Sequence, residues 1–133
     1  MIHVYTDGAS AGNPGPSGAG LVFIKDGEAQ EFRFHLGDKT NHEAEFAAVD
    51  IALELCLQKE WQQVSVRTDS KLVSDSIEKA HVKTKAYAGY LCSILDKIAQ
   101  LELFFIMWVP SKQNKKADEL ARLAIREPKR LFR

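Results

Sequence analysis

The sequence predicts an α/β fold in which helices cover both faces of one mixed five-stranded sheet. Three strand patterns, at 2–7, 18–25 and 28–36, come first, separated only by a glycine-rich segment and a tight turn, which indicates an antiparallel hairpin run. Helical and strand patterns alternate after that, as in sheets covered by helices. With 133 residues and 45% hydrophobic content, the chain fits a single domain spanning 1–133.

Each element is predicted from its local pattern. Asp26-Gly27, between the second and third strands, is a hairpin signal, and the glycines and prolines of 8–17 predict a loop between the first two strands. The later patterns predict, in order, helix 43–59, strand 64–68, helix 70–80, helix 86–100, strand 103–109 and helix 114–126. The charged tail 127–133 is expected to be frayed.

Two of the strand patterns end in the same way. The segments 2–7 and 64–69 both alternate apolar and polar residues, and both end in Thr-Asp, at Asp7 and Asp69. If these strands are parallel neighbours in register, the two aspartates lie about 5 Å apart, the spacing between strands. Carboxylates at that distance repel each other unless a proton or a metal lies between them. The pattern therefore indicates a divalent-cation site at the carboxyl ends of a sheet.

Two further acids extend this site. Glu45 lies on a stripe of helical spacing that is otherwise apolar, formed with Val49, Ala52 and Cys56, where an unpaired carboxylate would be costly. Asp118 lies near the start of the final helix pattern. Four hard oxygen donors, from two strand ends and two helix starts, suit Mg²⁺ or Mn²⁺.

Taken together, these segments resemble the type 1 ribonuclease H family, in a compact form. The matching stretches follow the family's order and span nearly the whole chain: Thr6-Asp7-Gly8-Ala9, Gly12 to Pro16, Thr40-Asn41 with Glu45, Thr68-Asp69-Ser70, and Asn114 to Ala121. The resemblance implies a ribonuclease H-like sheet and an endonuclease that cleaves the RNA strand of RNA/DNA hybrids. Asp7, Glu45, Asp69 and Asp118 would hold two Mg²⁺ ions, about 3.5–4 Å apart, with Mn²⁺ as a substitute.

The resemblance also implies which residues contact the substrate. Asn13 and Asn41 would lie along the minor groove of the hybrid, where 2′-hydroxyls are displayed, and Thr40 would help to hold a phosphate of the DNA strand. The same surface is expected to include Gly8, Ser70, Lys71, Lys112 and Asn114.

Two departures from the family pattern bear on activity. Well-known members carry a histidine in the loop before the last aspartate, whereas 109–114 contains none here, and Lys112 is the cation that could substitute for it. Many members also have a basic, Trp-containing protrusion, of which only 79–85 remains. These departures leave open a non-catalytic hybrid-binding module, or a nuclease of the same fold with another nucleic-acid substrate. The four intact acids favour catalysis.

The net charge is zero, but its distribution is uneven. Residues 1–60 carry four Lys/Arg against ten Asp/Glu, whereas residues 111–133 carry eight against three. The basic end could face phosphates beside the acids. For Lys112, Lys115 and Lys116, phosphate contact and solvation are equally supported, and from Arg122 onward a solvated helix face is favoured.

Several other classes of protein are excluded. The glycine-rich segment lacks Gly-Lys-Ser/Thr and leads into a strand, which argues against a phosphate-binding P-loop. No stretch has the apolar length of a membrane span, and the Met1 end enters a strand pattern directly, so we expect a cytoplasmic protein that does not bind membranes. Cys56 and Cys92 are expected to be buried, reduced thiols. No obligate protein partner is evident, and a monomer is expected.

Overall fold

The computed structural model describes residues 1–127 and confirms the predicted sheet with helices on both faces. The strands are β1 (Ile2–Ser10), β2 (Gly15–Lys25), β3 (Glu28–Lys39), β4 (Gln63–Thr68) and β5 (Leu103–Trp108), in the order β3-β2-β1-β4-β5. β1, β2 and β3 pair antiparallel, whereas β4 pairs parallel with both β1 and β5. The helices are α1 (Asn41–Gln58), α2 (Lys71–Lys79), α3 (Lys85–Ile98) and α4 (Lys115–Arg126).

The helices divide between the two faces of the sheet. α1 packs on β1 and β2, with α3 behind it, and α4 packs on the other face against β1, β2 and β3. The predicted α1 stripe is confirmed, because Val49, Ala52 and Cys56 are fully buried. They belong to one continuous core that also includes apolar residues of β2 and β4, among them Phe23 and Val66.

The predicted loop at 8–17 is wrong, because β1 continues to Ser10 and β2 already begins at Gly15. Two glycines that follow, Gly18 and Gly20, make close packing possible inside β2. A Cβ on Gly18 would lie 2.4 Å from the carbonyl oxygen of Ala121, and one on Gly20 would lie 2.1 Å from that of Ala117. Both glycines let the backbone of α4 lie directly on β2, and only 11–14 is left as a turn.

The other boundaries move by a few residues. Asp26 and Gly27 both have positive φ, at 52° and 80°, as the predicted two-residue hairpin requires. β3 runs to Lys39 rather than 36 because it pairs with the unpredicted start of β2, where Gly15 opposes Lys39.

Three remaining expectations have mixed outcomes. Cys56 is buried as predicted, but Cys92 is exposed, because its position on α3 faces away from α1. Glu127, the first residue of the expected frayed tail, bonds through its carboxylate to Arg33 at 2.6 Å, and 128–133 lie outside the described residues. Within residues 1–127, no helix is both long and apolar enough to cross a membrane.

Candidate metal centre and active-site cleft

The parallel pairing of β1 with β4 places Asp7 beside Asp69, as predicted. The last aligned pair is Thr6 with Thr68, and each aspartate is the next residue along its chain. Asp7 is only 4% exposed, whereas Asp69 is half-buried. The Nε1–H of Trp108 donates to the carbonyl oxygen of Asp69 at 3.1 Å, which holds the backbone that carries this carboxylate.

Glu45 reaches the same point from α1. The helix begins with a capping box in which the Thr40 hydroxyl accepts from the Glu43 N–H at 3.2 Å and the Glu43 carboxylate accepts from the Thr40 N–H at 2.9 Å. This pair of bonds fixes the first turn, so that Glu45 follows on the side facing β1. Its Oε1 accepts from the Gly8 N–H at 3.1 Å.

Gly8 makes this approach possible. A Cβ at this position would lie 2.2 Å from the carbonyl carbon of Ala44, a distance that no side chain allows. The role of Gly8 is therefore to let α1 lie against β1, and its N–H orients the Glu45 carboxylate.

Asp7, Glu45 and Asp69 form a compact cluster. One carboxylate oxygen from each lies within 4.8 Å of the other two. Asp118, in the first turn of α4, lines the same cleft and lies close enough to Asp7 to share a hydrogen bond with it. Both carboxylate oxygens of Asp118 accept from the Arg122 Nε–H at 3.1 Å. The structure thus brings together all four predicted acids, three of them most tightly.

The electrostatics of the cluster are unfavourable for ionised acids. Burial, together with the charges of Glu45 and Asp69 and a hydrogen bond to Asp118, raises the pKa of Asp7 to about 10. Burial and the charge of Asp69 raise the pKa of Glu45 to about 8, against the opposing effect of the Gly8 N–H. Without a cation, the cluster therefore retains protons at neutral pH.

The donor set fits a divalent cation. Carboxylate oxygens are the ligands that Mg²⁺ and Mn²⁺ prefer, and a double positive charge would remove the repulsion that raises these pKa values. Among residues 1–127, no Lys or Arg side chain forms an ion pair with Asp7, Glu45 or Asp69, so the described part of the chain does not itself neutralise them.

The acids lie in a cleft of about 1000 Å³. Four of the predicted substrate-binding residues line it: Gly8, Asn41, Ser70 and Lys71. Ser70 also caps α2, where its hydroxyl accepts from the Val73 N–H at 3.2 Å. The Lys71 ammonium lies 5.7 Å from the centre of the Trp108 ring.

The other four predicted residues are not among those that line the cleft. Asn13 is exposed, and its Oδ1 accepts from the Asn41 N–H at 2.9 Å, which ties the turn to α1. The Thr40 hydroxyl oxygen caps α1 as an acceptor, so its proton is still available for a hydrogen bond to a phosphate. Lys112 lies exposed in a short 3₁₀ turn, Ser111–Gln113, where Ser111, rather than Lys112, faces the cleft.

Asn114 corrects the prediction most clearly, because it is 2% exposed and cannot present its side chain to a substrate. Its Nδ2 donates to the carbonyl oxygen of Thr6 at 2.8 Å, and its backbone carbonyl accepts from the Asp118 N–H at 3.1 Å. Asn114 therefore ties the start of α4 to the strand that carries Asp7.

Three cations that line the cleft lie on α4: Lys115, Arg122 and Arg126. Arg122 and Arg126, for which a solvated helix face was favoured, are exposed and also border the cleft. Arg122 and Arg126 follow Asp118 by four and eight residues, which places these two arginines and Asp118 on one face of the helix. This spacing is the sequence signal that could have identified both arginines as residues of the cleft. Lys116 points elsewhere and pairs with Glu31 and Glu119, at 3.8 and 3.3 Å.

Comparison with known proteins gives a consistent result. The family model for RNase H matches residues 1–126. "Putative hydrolase EbsB" of Enterococcus faecalis is 40% identical over 129 residues, covering 96% of both chains. The crystal structure of RNase H1 from Halobacterium salinarum is 31% identical with a TM-score of 0.89, covering 95% of this chain and 98% of that one. LC11-RNase H1, solved in complex with an RNA/DNA hybrid, is 31% identical with a TM-score of 0.88, covering 96% and 99%.

A five-stranded mixed sheet, with acids clustered where the parallel pairing of its central strands β1 and β4 ends, defines a nuclease-like class of α/β protein. The chain belongs to the ribonuclease H family, and its activity is that of a ribonuclease H.

Proposed function

We propose that the chain cleaves the RNA strand of RNA/DNA hybrids with the help of two divalent cations held by Asp7, Glu45, Asp69 and Asp118. The observation that carries the proposal is the convergence of three carboxylates within 4.8 Å, at the floor of a cleft whose α4 wall is basic. All of these residues come from one chain, so the reaction needs no second copy.

When bound, Mg²⁺ or Mn²⁺ would supply activation of the attacking water and neutralisation of charge on the leaving 3′-oxygen. The chain's own residues position the donors. Gly8 holds Glu45 through its N–H, Trp108 holds the backbone of Asp69, and Arg122 orients the carboxylate of Asp118. Such fixed donors lose little energy to reorganisation during the reaction.

The walls of the cleft suit a nucleic-acid backbone. Lys71 lines the cleft from α2, and Lys115, Arg122 and Arg126 line it from α4. We expect these cations to contact phosphates of the substrate backbone. Asn41, held at the start of α1 by Asn13, would offer its amide to 2′-hydroxyls, which distinguish RNA from DNA. The similar protein LC11-RNase H1 forms a complex with an RNA/DNA hybrid, which supports this choice of substrate.

A panel of end-labelled substrates of one sequence tests the proposal: RNA/DNA hybrid, RNA duplex, DNA duplex and single-stranded RNA. With Mg²⁺ or Mn²⁺, we expect internal cleavage of the hybrid's RNA strand to 5′-phosphate and 3′-hydroxyl products, and none with chelator. Preferential cleavage of another substrate would overturn the choice of hybrid, and cleavage in chelator would overturn the metal site.

A further inference from the structure

The edge strand β5 lacks the features that usually keep sheet edges apart. β5 lies at the end of the strand order, with β4 as its neighbour among the described residues. Its six residues, Leu103-Phe104-Phe105-Ile106-Met107-Trp108, include no charge, proline or glycine. Natural proteins commonly protect such an edge with charges, prolines or bulges. The opposite edge, β3, follows that rule, with exposed charges at Glu28 and Glu31.

The side chains of β5 are exposed as well as its edge. Leu103, Phe105 and Met107 are 40–49% exposed, and so is Trp108, at 43%. These four make up most of the large exposed apolar side chains in the described part of the chain. Phe105 and Met107 align with Ser65 and Arg67 of β4, on the face of the sheet that α4 covers only over β1, β2 and β3.

We propose that β5 pairs antiparallel with β5 of a second copy of this chain, which makes a symmetric dimer with one continuous ten-stranded sheet. Two copies of one strand related by a two-fold axis meet on the same face of the joined sheet. Leu103, Phe105 and Met107 of one copy then lie against the same residues of the other. The zero net charge of the chain means that no overall repulsion opposes this association.

The area available suits a weak dimer. Leu103, Phe105 and Met107 share one face of β5, whereas the alternation of side chains along a strand puts Trp108 on the other face, beside Lys71. With roughly 150–250 Å² for each large side chain and 40–49% exposure, these three contribute roughly 200–350 Å² of apolar area per copy. Pairing also covers the outer edges of two six-residue strands, and the total stays below the roughly 1,000 Å² of a stable interface, in the range of weak, transient ones. Small interfaces of this kind form weak complexes, for which we expect a dissociation constant on the order of micromolar.

The pairing leaves the proposed active sites free. Asp7 and Asp69 follow the last aligned pair of β1 and β4, and antiparallel association directs this end of the sheet in the two copies in opposite directions. Each copy of the dimer therefore keeps an open cleft, and the proposal does not depend on the reaction assigned to that cleft.

Sedimentation velocity across about 1 to 100 µM protein, a range that brackets a micromolar constant, tests the proposal. We expect the parent to pass from monomer to dimer, and Phe105→Lys and Phe105→Glu each to stay monomeric because like charges meet. A one-to-one mixture of these two variants should recover the dimer, because Lys then faces Glu. Ala29→Lys, on the opposite edge strand, is the control and should dimerise like the parent.

Each other result decides against the pairing. A parent that stays monomeric at the highest concentration would overturn the dimer, and a dimer that survives Phe105→Lys would place the interface elsewhere. A mixture that stays monomeric would show that the two edges do not meet. Circular dichroism and the melting temperature check that the variants fold, and Met107→Lys with Met107→Glu repeat the test at the neighbouring exposed position if either Phe105 variant unfolds.

Discussion

Replacing Asp7 by Asn should stabilise the metal-free protein, by an amount that grows with pH. In chelator, the folded state keeps a proton on Asp7, because its pKa is raised from 3.8 to about 10. The unfolded chain releases that proton near pH 4. Between these pH values the folded state binds more protons, so the free energy of unfolding falls as the pH rises. Asn does not titrate, so Asp7→Asn does not lose this part of the free energy of unfolding as the pH rises.

The size of the effect follows from the two pKa values. At pH 7, which is 3.2 pH units above 3.8, the penalty reaches at most about 4 kcal/mol, since each unit corresponds to about 1.4 kcal/mol. At pH 5 the limit is about 2 kcal/mol by the same conversion. Urea unfolding of the parent and Asp7→Asn at both pH values, in chelator, measures the difference. Asp75→Asn, on the exposed face of α2, is the matched control and should shift stability by less than about 0.5 kcal/mol at either pH.

Two outcomes would refute this reasoning. If Asp7→Asn is no more stable than the parent at pH 7, the carboxylates do not repel one another in the folded state. If the gain in the free energy of unfolding is the same at pH 5 and pH 7, it does not come from the proton on Asp7.

Three other predictions follow from the same contacts. Millimolar Mg²⁺ should raise the melting temperature of the parent, and more at pH 8 than at pH 6, because carboxylates must lose their protons to bind the ion. Thermal melts at both pH values measure this shift, and an equal shift in Asp7→Asn would contradict the prediction. Asn114→Ala should cost about 1–3 kcal/mol in urea unfolding, since it leaves the buried carbonyl of Thr6 unpaired, and an unchanged stability would show that this tie is unimportant. Replacing both Arg122 and Arg126 by Ala should weaken hybrid binding for any sequence. It should also lower the slope of log binding constant against log salt concentration by about 1 for each lost phosphate contact, whereas Lys116→Ala should change neither. Fluorescence titrations measure both quantities, and equal effects of the two sets of substitutions would place the arginines in solvent.

The sequence predicted the acidic cluster because its geometry follows from short-range patterns. Two strand patterns that both end in Thr-Asp, at Asp7 and Asp69, predicted that these strands pair in parallel. Glu45 was identified because it is the one charged residue on an otherwise apolar helical stripe. Each prediction needed only strand spacing or helix periodicity, and the structure confirmed the resulting proximity.

The errors arose where distant parts of the chain meet. Gly15 resembles a loop residue locally, and only its pairing with Lys39 of β3 shows that β2 already begins there. Asn114 was expected at the substrate surface from the family resemblance, but its side chain bonds to Thr6, 108 residues away. Arg122 and Arg126 are exposed as expected, but that they border the cleft depended on how α4 packs on the sheet.

Single-turnover cleavage of a labelled RNA/DNA hybrid by Asp7→Asn and Asp75→Asn, with Mg²⁺ titrated from zero, tests the central claim most directly. Both variants lose one carboxylate, but only Asp7 belongs to the cluster of three acids. We predict that Asp75→Asn cleaves like the parent and only when Mg²⁺ is present, whereas Asp7→Asn binds the hybrid but cleaves it more slowly by orders of magnitude. Equal cleavage rates for the two variants, or cleavage without Mg²⁺ or any other divalent cation, would contradict a metal-dependent active site at Asp7.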